Sequence, residues 1–80
     1  MPHEINSPLH RVFMQNVKAR REELSLTQAE VAAKMRVSQP TYANIELGRN
    51  TPTIEVIEKV ARALDTSPLQ LLLPLEVTVS

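Results

Sequence analysis

Eighty residues without a cysteine describe one small domain, near the lower size at which a core holds without staples, and they exclude disulfides and thiolate metal sites. Nine basic and nine acidic side chains cancel, but residues 11–49 hold Arg11, Lys18, Arg20, Arg21, Lys34, Arg36 and Arg49 against four glutamates, whereas residues 50–80 are net acidic. A chain basic in front and acidic behind points to a polyanion at one face.

The start, MPHEINSP, lacks the basic stretch and apolar run of a signal peptide. The longest apolar run, LLLPL at 71–75, is far shorter than a membrane span. A cytoplasmic protein without a membrane role is expected.

Helical periodicity covers the chain until its last six residues. The first helix starts with Ser7 as cap and Pro8 at the first position, where a missing N–H costs nothing. Leu9, Val12, Phe13, Val17 and Leu24 mark its inner face. The second opens at TQAE, where Thr27 and Glu30 have the spacing of a capping box, and Val31, Ala32 and Met35 form its inner stripe. The third lies within VSQPTYANIELGRN, with Tyr42 and Ile45 inward and Gly48 as stop. Its cap is Ser38 or Gln39, since Pro40 biases Gln39 away from the helical region. Thr53 caps a fourth helix with Ile54, Ile57, Val60, Ala61 and Leu64 inward. Ser67 and Pro68 start a short fifth, ended by Pro74. The tail LEVTVS then alternates with strand period. A lone strand in an all-α domain is expected to pair with its copy in a second chain, giving a two-fold dimer.

The second and third helices are only about three residues apart, the geometry of a helix-turn-helix. Ala32 suits the close approach of the two backbones, and Val31, Met35, Val37, Tyr42 and Ile45 supply the packed faces. The third helix then exposes Ser38, Gln39 and Thr41 at its positive, N–H-bearing end. Amides and hydroxyls neither build a core nor make strong ion pairs, but they do hydrogen-bond to base edges.

Together and in order, LTQAEVA, VS, IELG, a proline after the glycine and VARALDTSP resemble the helix-turn-helix domain of the lambdoid phage repressor and Cro family, also called the xenobiotic-response-element family, over roughly residues 9–73. The resemblance implies an all-α, five-helix DNA-binding domain at 9–73 with its helix-turn-helix at 28–47, between an N-terminal arm (1–8) and a tail (74–80). It implies base contacts from Gln39, Pro40, Thr41 and Asn44, and phosphate contacts from Gln28, Ser38, Arg20 and Arg49. Gln28 also stands where it could meet Gln39. The expected function is a dimeric transcriptional regulator on a palindromic operator in double-stranded DNA, without cofactor. The alternative is a protein-interaction module, such as an antitoxin with a toxin as partner.

Two residues depart from the family pattern: Ser25 and Arg36 stand where glycines are usual, and Arg36 falls where a left-handed backbone is expected, at a cost of roughly 1 kcal/mol. Pro40 offers no donor. Helical phase also places Arg21 between Val17 and Leu24, and Glu46 four residues after Tyr42, both on inner faces, so a partly buried ion pair is expected. His3 and His10 have no metal-ligand spacing. No serine has a base and an orienting partner, and one glycine cannot make a phosphate loop, so no metal site or catalysis is expected. The leucines of LQLLL at 69–73 belong to the core or to a dimer contact.

Overall fold

The computed structural model describes residues 7–74, which form five helices and no strand: α1 (Pro8–Glu23), α2 (Gln28–Met35), α3 (Gln39–Leu47), α4 (Ile54–Ala63) and α5 (Pro68–Leu72). All five begin alike. The side-chain oxygens of Ser7, Thr27, Ser38, Thr53 and Ser67 each accept the N–H three residues on, which satisfies a donor that the helix itself cannot. Thr27 and Glu30 complete both halves of the capping box. At α3 the cap is Ser38, so Gln39 opens the helix and Pro40 follows within its first turn.

The helices end alike too. All four connections pass through a left-handed residue: Ser25 (φ 59°), Arg36 (φ 60°), Gly48 (φ 70°) and Asp65 (φ 53°). In each, the next residue's N–H returns to a carbonyl five positions back: Leu26 to Arg21, Val37 to Ala32, Arg49 to Asn44 and Thr66 to Ala61. These closures use carbonyls that the helices leave open. Gly48 alone adopts the conformation without a Cβ penalty. Asp65 joins Ser25 and Arg36 as a third non-glycine residue in this geometry.

Phe13 and Val17 from α1, Val31, Ala32 and Met35 from α2, Tyr42 from α3, Val60 and Ala61 from α4, Leu64 just after it, and Leu71 from α5 form one core. α3 packs on α1 and α2, α4 on α2, and α5 on α1 and α4. Three expected core residues stand outside it, among them the half-buried Val12. Leu9 is 53% exposed and Ile54 77% exposed. Both lie in first turns, ahead of the packed faces. His10 and Phe13 turn inward on α1, while Val56 and Ile57 pack against the core from α4. The alternating segment 75–80 proposed for strand pairing, and residues 1–6 of the arm, lie outside the described residues.

Candidate nucleic-acid interface

Ala32 is buried in α2, which packs on α3, and Val37 in the intervening turn packs against the core. α3 is thereby fixed along its inner side and leads with Gln39, Pro40 and Thr41, all exposed; Asn44 is half-buried one turn later. The Ser38 hydroxyl accepts the Thr41 N–H at 3.2 Å and shares a 2.7 Å hydrogen bond with the Thr41 hydroxyl. Arg49 is exposed directly beyond Gly48. Thr41 and Asn44 line a shallow groove with Asn50, Thr51 and Thr53 from the connection to α4. Asn50 and Thr51, in sequence only part of the connecting chain, extend the polar surface. Their signal was the run of short polar side chains in RNTPT.

Behind this surface lies a hydrogen-bonded cluster. Arg21 Nε donates to Glu46 Oε2 at 2.6 Å, and Arg21 Nη2 donates to Oε1 at 3.2 Å. Arg21 Nη1 reaches the Leu26 carbonyl at 2.9 Å. The Tyr42 hydroxyl donates to Glu46 Oε2 at 2.5 Å, and Gln28 Nε2 donates to Oε1 at 3.0 Å. Gln39 Nε2 in turn donates to Gln28 Oε1 at 3.4 Å. The two charged side chains are 14% and 5% exposed, Arg21 and Glu46 respectively. Burial pushes the Glu46 carboxyl up, but hydrogen bonds from Arg21, Tyr42 and Gln28 and the Arg21 charge together hold it below its ordinary value. The hydrogen bond to Glu46 raises Arg21. Burial, followed by the bond to Glu46, raises the Tyr42 phenol, so its proton stays on the donor side. The cluster ties α1, α2 and α3 together beneath the exposed amides.

Arg20 is already engaged within the fold. Its Nε donates to the Leu64 carbonyl at 3.0 Å, its Nη2 to the Asp65 carbonyl at 2.9 Å and its Nη1 to Glu23 at 2.6 Å. The guanidinium closes the C-terminal end of α4 and uses three of its five N–H donors within the fold. One turn earlier Asn16 does the same for α5, donating to the carbonyls of Leu71 at 2.9 Å and Leu73 at 2.6 Å. A polar residue on an apolar stripe was the only hint of Asn16 in the sequence.

A basic surface lies between α2 and α4. Lys34, Arg36, Lys59 and Arg62 line an open cleft over Met35 and Ala63, and no carboxylate lines it. Among the described residues none of the four makes an ion pair. Also among the described residues, no group of three or more histidines and carboxylates could hold a metal, and no helix is long and apolar enough to cross a membrane.

Two packed helices joined by a tight left-handed turn, the second presenting a polar, capped N-terminus, define a helix-turn-helix protein. The profile of the helix-turn-helix family HTH_3 matches residues 17–71, and the chain belongs to that family, the repressor and Cro type of transcriptional regulator. It is 33% identical over 70 residues to the uncharacterized HTH-type transcriptional regulator y4dJ of Sinorhizobium fredii, covering 88% of this chain and 91% of that one. It is 41% identical over 47 residues to the antitoxin HigA1 of Mycobacterium tuberculosis, covering 59% of this chain but only 32% of the antitoxin. The crystal structure of the hypothetical transcription factor NHTF from Neisseria superposes with a TM-score of 0.81 at 28% identity, covering 95% of this chain and 90% of that one.

Proposed function

We propose that this chain is a sequence-specific DNA-binding transcriptional regulator that lays the start of α3 in the major groove. The observation that carries the reading is the exposed row Gln39, Pro40, Thr41 and Asn44, held from behind by the Arg21–Glu46 cluster. Gln39 and Asn44 have the donor and acceptor pair that reads adenine, and Thr41 can bond a base or pack on a thymine methyl. Pro40 contributes shape and apolar contact only. Gln28, at the start of α2, keeps a second amide N–H for a phosphate. Ser38, Arg49, Asn50 and Thr51 surround α3 with further backbone contacts. A two-fold dimer would set two copies of α3 about 34 Å apart, matching operator halves about ten base pairs apart. The cytoplasm is the compartment in which such a protein would meet DNA.

Selection of genomic fragments by the purified full chain, followed by sequencing, tests this. Recurrence of a short two-fold motif with that spacing is expected. Recovery of fragments in proportion to their abundance would overturn sequence-specific reading, and a motif without two-fold repetition would overturn the dimer.

A second reading is favoured by the similarity to an antitoxin together with the basic cleft of Lys34, Arg36, Lys59 and Arg62. In it the domain also holds an acidic protein partner, such as a toxin, by a surface that includes no residue of α3. Charge reversal at Lys59 and Arg62 would abolish capture of that partner and leave the selected DNA motif unchanged; loss of the motif instead would refute separate surfaces.

A further inference from the structure

Glu46 touches no surface that a base could reach, yet it dictates the direction of two amides, the half-buried one of Gln28 and the exposed one of Gln39. An ionised carboxylate can only accept hydrogen bonds, and both Glu46 oxygens are occupied: Oε2 by Arg21 Nε and the Tyr42 hydroxyl, Oε1 by Arg21 Nη2 and Gln28 Nε2. Gln28 must therefore turn its NH2 inward and its oxygen outward. That oxygen can only accept, so Gln39 presents Nε2 to it, at 3.4 Å. Gln39 is left with its carbonyl oxygen and one N–H facing solvent. One acceptor and one donor match the N6 amino group and N7 of adenine. With Gln28 reversed, Gln39 would turn its oxygen inward and present two N–H groups, the complement of guanine O6 and N7.

We propose that Glu46 is a specificity-determining positioning residue: through Gln28 it fixes the amide of Gln39 in the orientation that reads adenine and rejects guanine. The inference rests on the reading that Gln39 faces a base edge. It assigns Glu46 a role beyond holding α3 against α1, because the charge of the carboxylate, and not its bulk, sets the polarity of the chain Glu46–Gln28–Gln39. The Arg21 guanidinium keeps that charge in place, and its single bond to Oε1 leaves that oxygen a second lone pair for Gln28.

The test is the ratio of affinities for two duplexes that differ at one base pair, measured by fluorescence anisotropy with the full chain. The position is the one in the selected motif at which Gln39→Ala relaxes base preference, and adenine is expected there. The parent should favour adenine over guanine by roughly 5- to 150-fold, the range for one bidentate contact. Glu46→Gln keeps the side chain's shape but can offer either an oxygen or an NH2 to Gln28, so the ratio should fall to within about threefold. Gln28→Leu cuts the chain while leaving Arg21 and Glu46 paired, and it should lower the ratio equally. A merely structural role for Glu46, or a lost phosphate contact at Gln28, would weaken both duplexes alike and leave the ratio unmoved. If Glu46→Gln does not fold, Gln28→Leu decides. A parent-like ratio in the folded variants, or guanine at the mapped position, overturns the relay while base reading stands. If Gln39→Ala relaxes no position, base reading by Gln39 fails, and the relay with it.

Discussion

Replacing Arg21 with Met removes the two bonds to Glu46 and the 2.9 Å bond to the Leu26 carbonyl, leaving a carboxylate only 5% exposed with Tyr42 and Gln28 as partners. Breaking a buried pair on one side typically costs about 3–5 kcal/mol. Because solvent reaches 14% of the Arg21 side chain, the lower figure of about 3 kcal/mol applies. Glu46→Leu should cost more. It strands the guanidinium and also leaves the hydroxyl of the fully buried Tyr42 without its acceptor, an addition of about 1–3 kcal/mol. The double variant Arg21→Met with Glu46→Leu strands no charge, so it should be less destabilised than the two single losses together by about 2 kcal/mol. At roughly 0.05–0.15 kcal/mol per residue, the whole domain holds about 4–12 kcal/mol, so either single variant consumes a large share. Urea unfolding followed by circular dichroism of all four proteins gives the cycle, with slopes compared to confirm a common two-state transition. A coupling below about 0.5 kcal/mol would refute the reasoning, since independent surface charges give that much.

The same cluster fixes a pH dependence: the Glu46 carboxyl is held below its ordinary value of 4.5 in the folded state. Its stabilisation is therefore complete above that value and is lost as pH falls through the lower folded one; unfolding midpoints should drop on the acid side, and Glu46→Gln should flatten that limb. Arg36→Gly should raise the unfolding free energy by about 0.5–1 kcal/mol, and the urea midpoint with it, because the lost Cβ penalty of the left-handed turn outweighs the freedom the unfolded chain gains; an unchanged or lower midpoint would mean that Arg36 is not strained. Arg49→Ala should weaken binding to all sequences and reduce the salt slope by about one unit. Arg20→Ala should leave that slope unchanged and lower stability instead; a reduced slope would return Arg20 to the phosphate contacts.

Elements and caps were legible because their chemistry is local. Hydroxyls at Ser7, Thr27, Thr53 and Ser67 and prolines at 8 and 68 announce helix starts within a turn of sequence. The opening of α3 stayed undecided between Ser38 and Gln39 because Pro40 restrains one and hydroxyl chemistry favours the other. The meeting of Arg21 with Glu46 could be read from helical phase, since each charge falls on an apolar stripe. What phase cannot supply is depth. Leu9 and Ile54 have the right angle on their helices but lie beyond the end of the core, and burial depends on both. Arg20 shows the other limit: an arginine beside a basic run reads as a phosphate ligand, and nothing near it in sequence announces that the Leu64 and Asp65 carbonyls, 44 and 45 residues later, take two of its donors. The inward turn of Gln28, on which the base preference of Gln39 is argued to depend, requires knowing that Glu46 has a free lone pair facing it.

The central claim is that α3 reads bases. Its most direct test compares the parent with the Gln39→Ala, Asn44→Ala double variant on the selected operator and on an unrelated duplex of the same length and salt. The operator should lose roughly 2–6 kcal/mol of affinity, two contacts at about 1–3 kcal/mol each, while the unrelated duplex is bound as before through phosphate contacts that the changes do not touch. Parent-like affinity for the operator would contradict the account, and so would an equal loss on both duplexes.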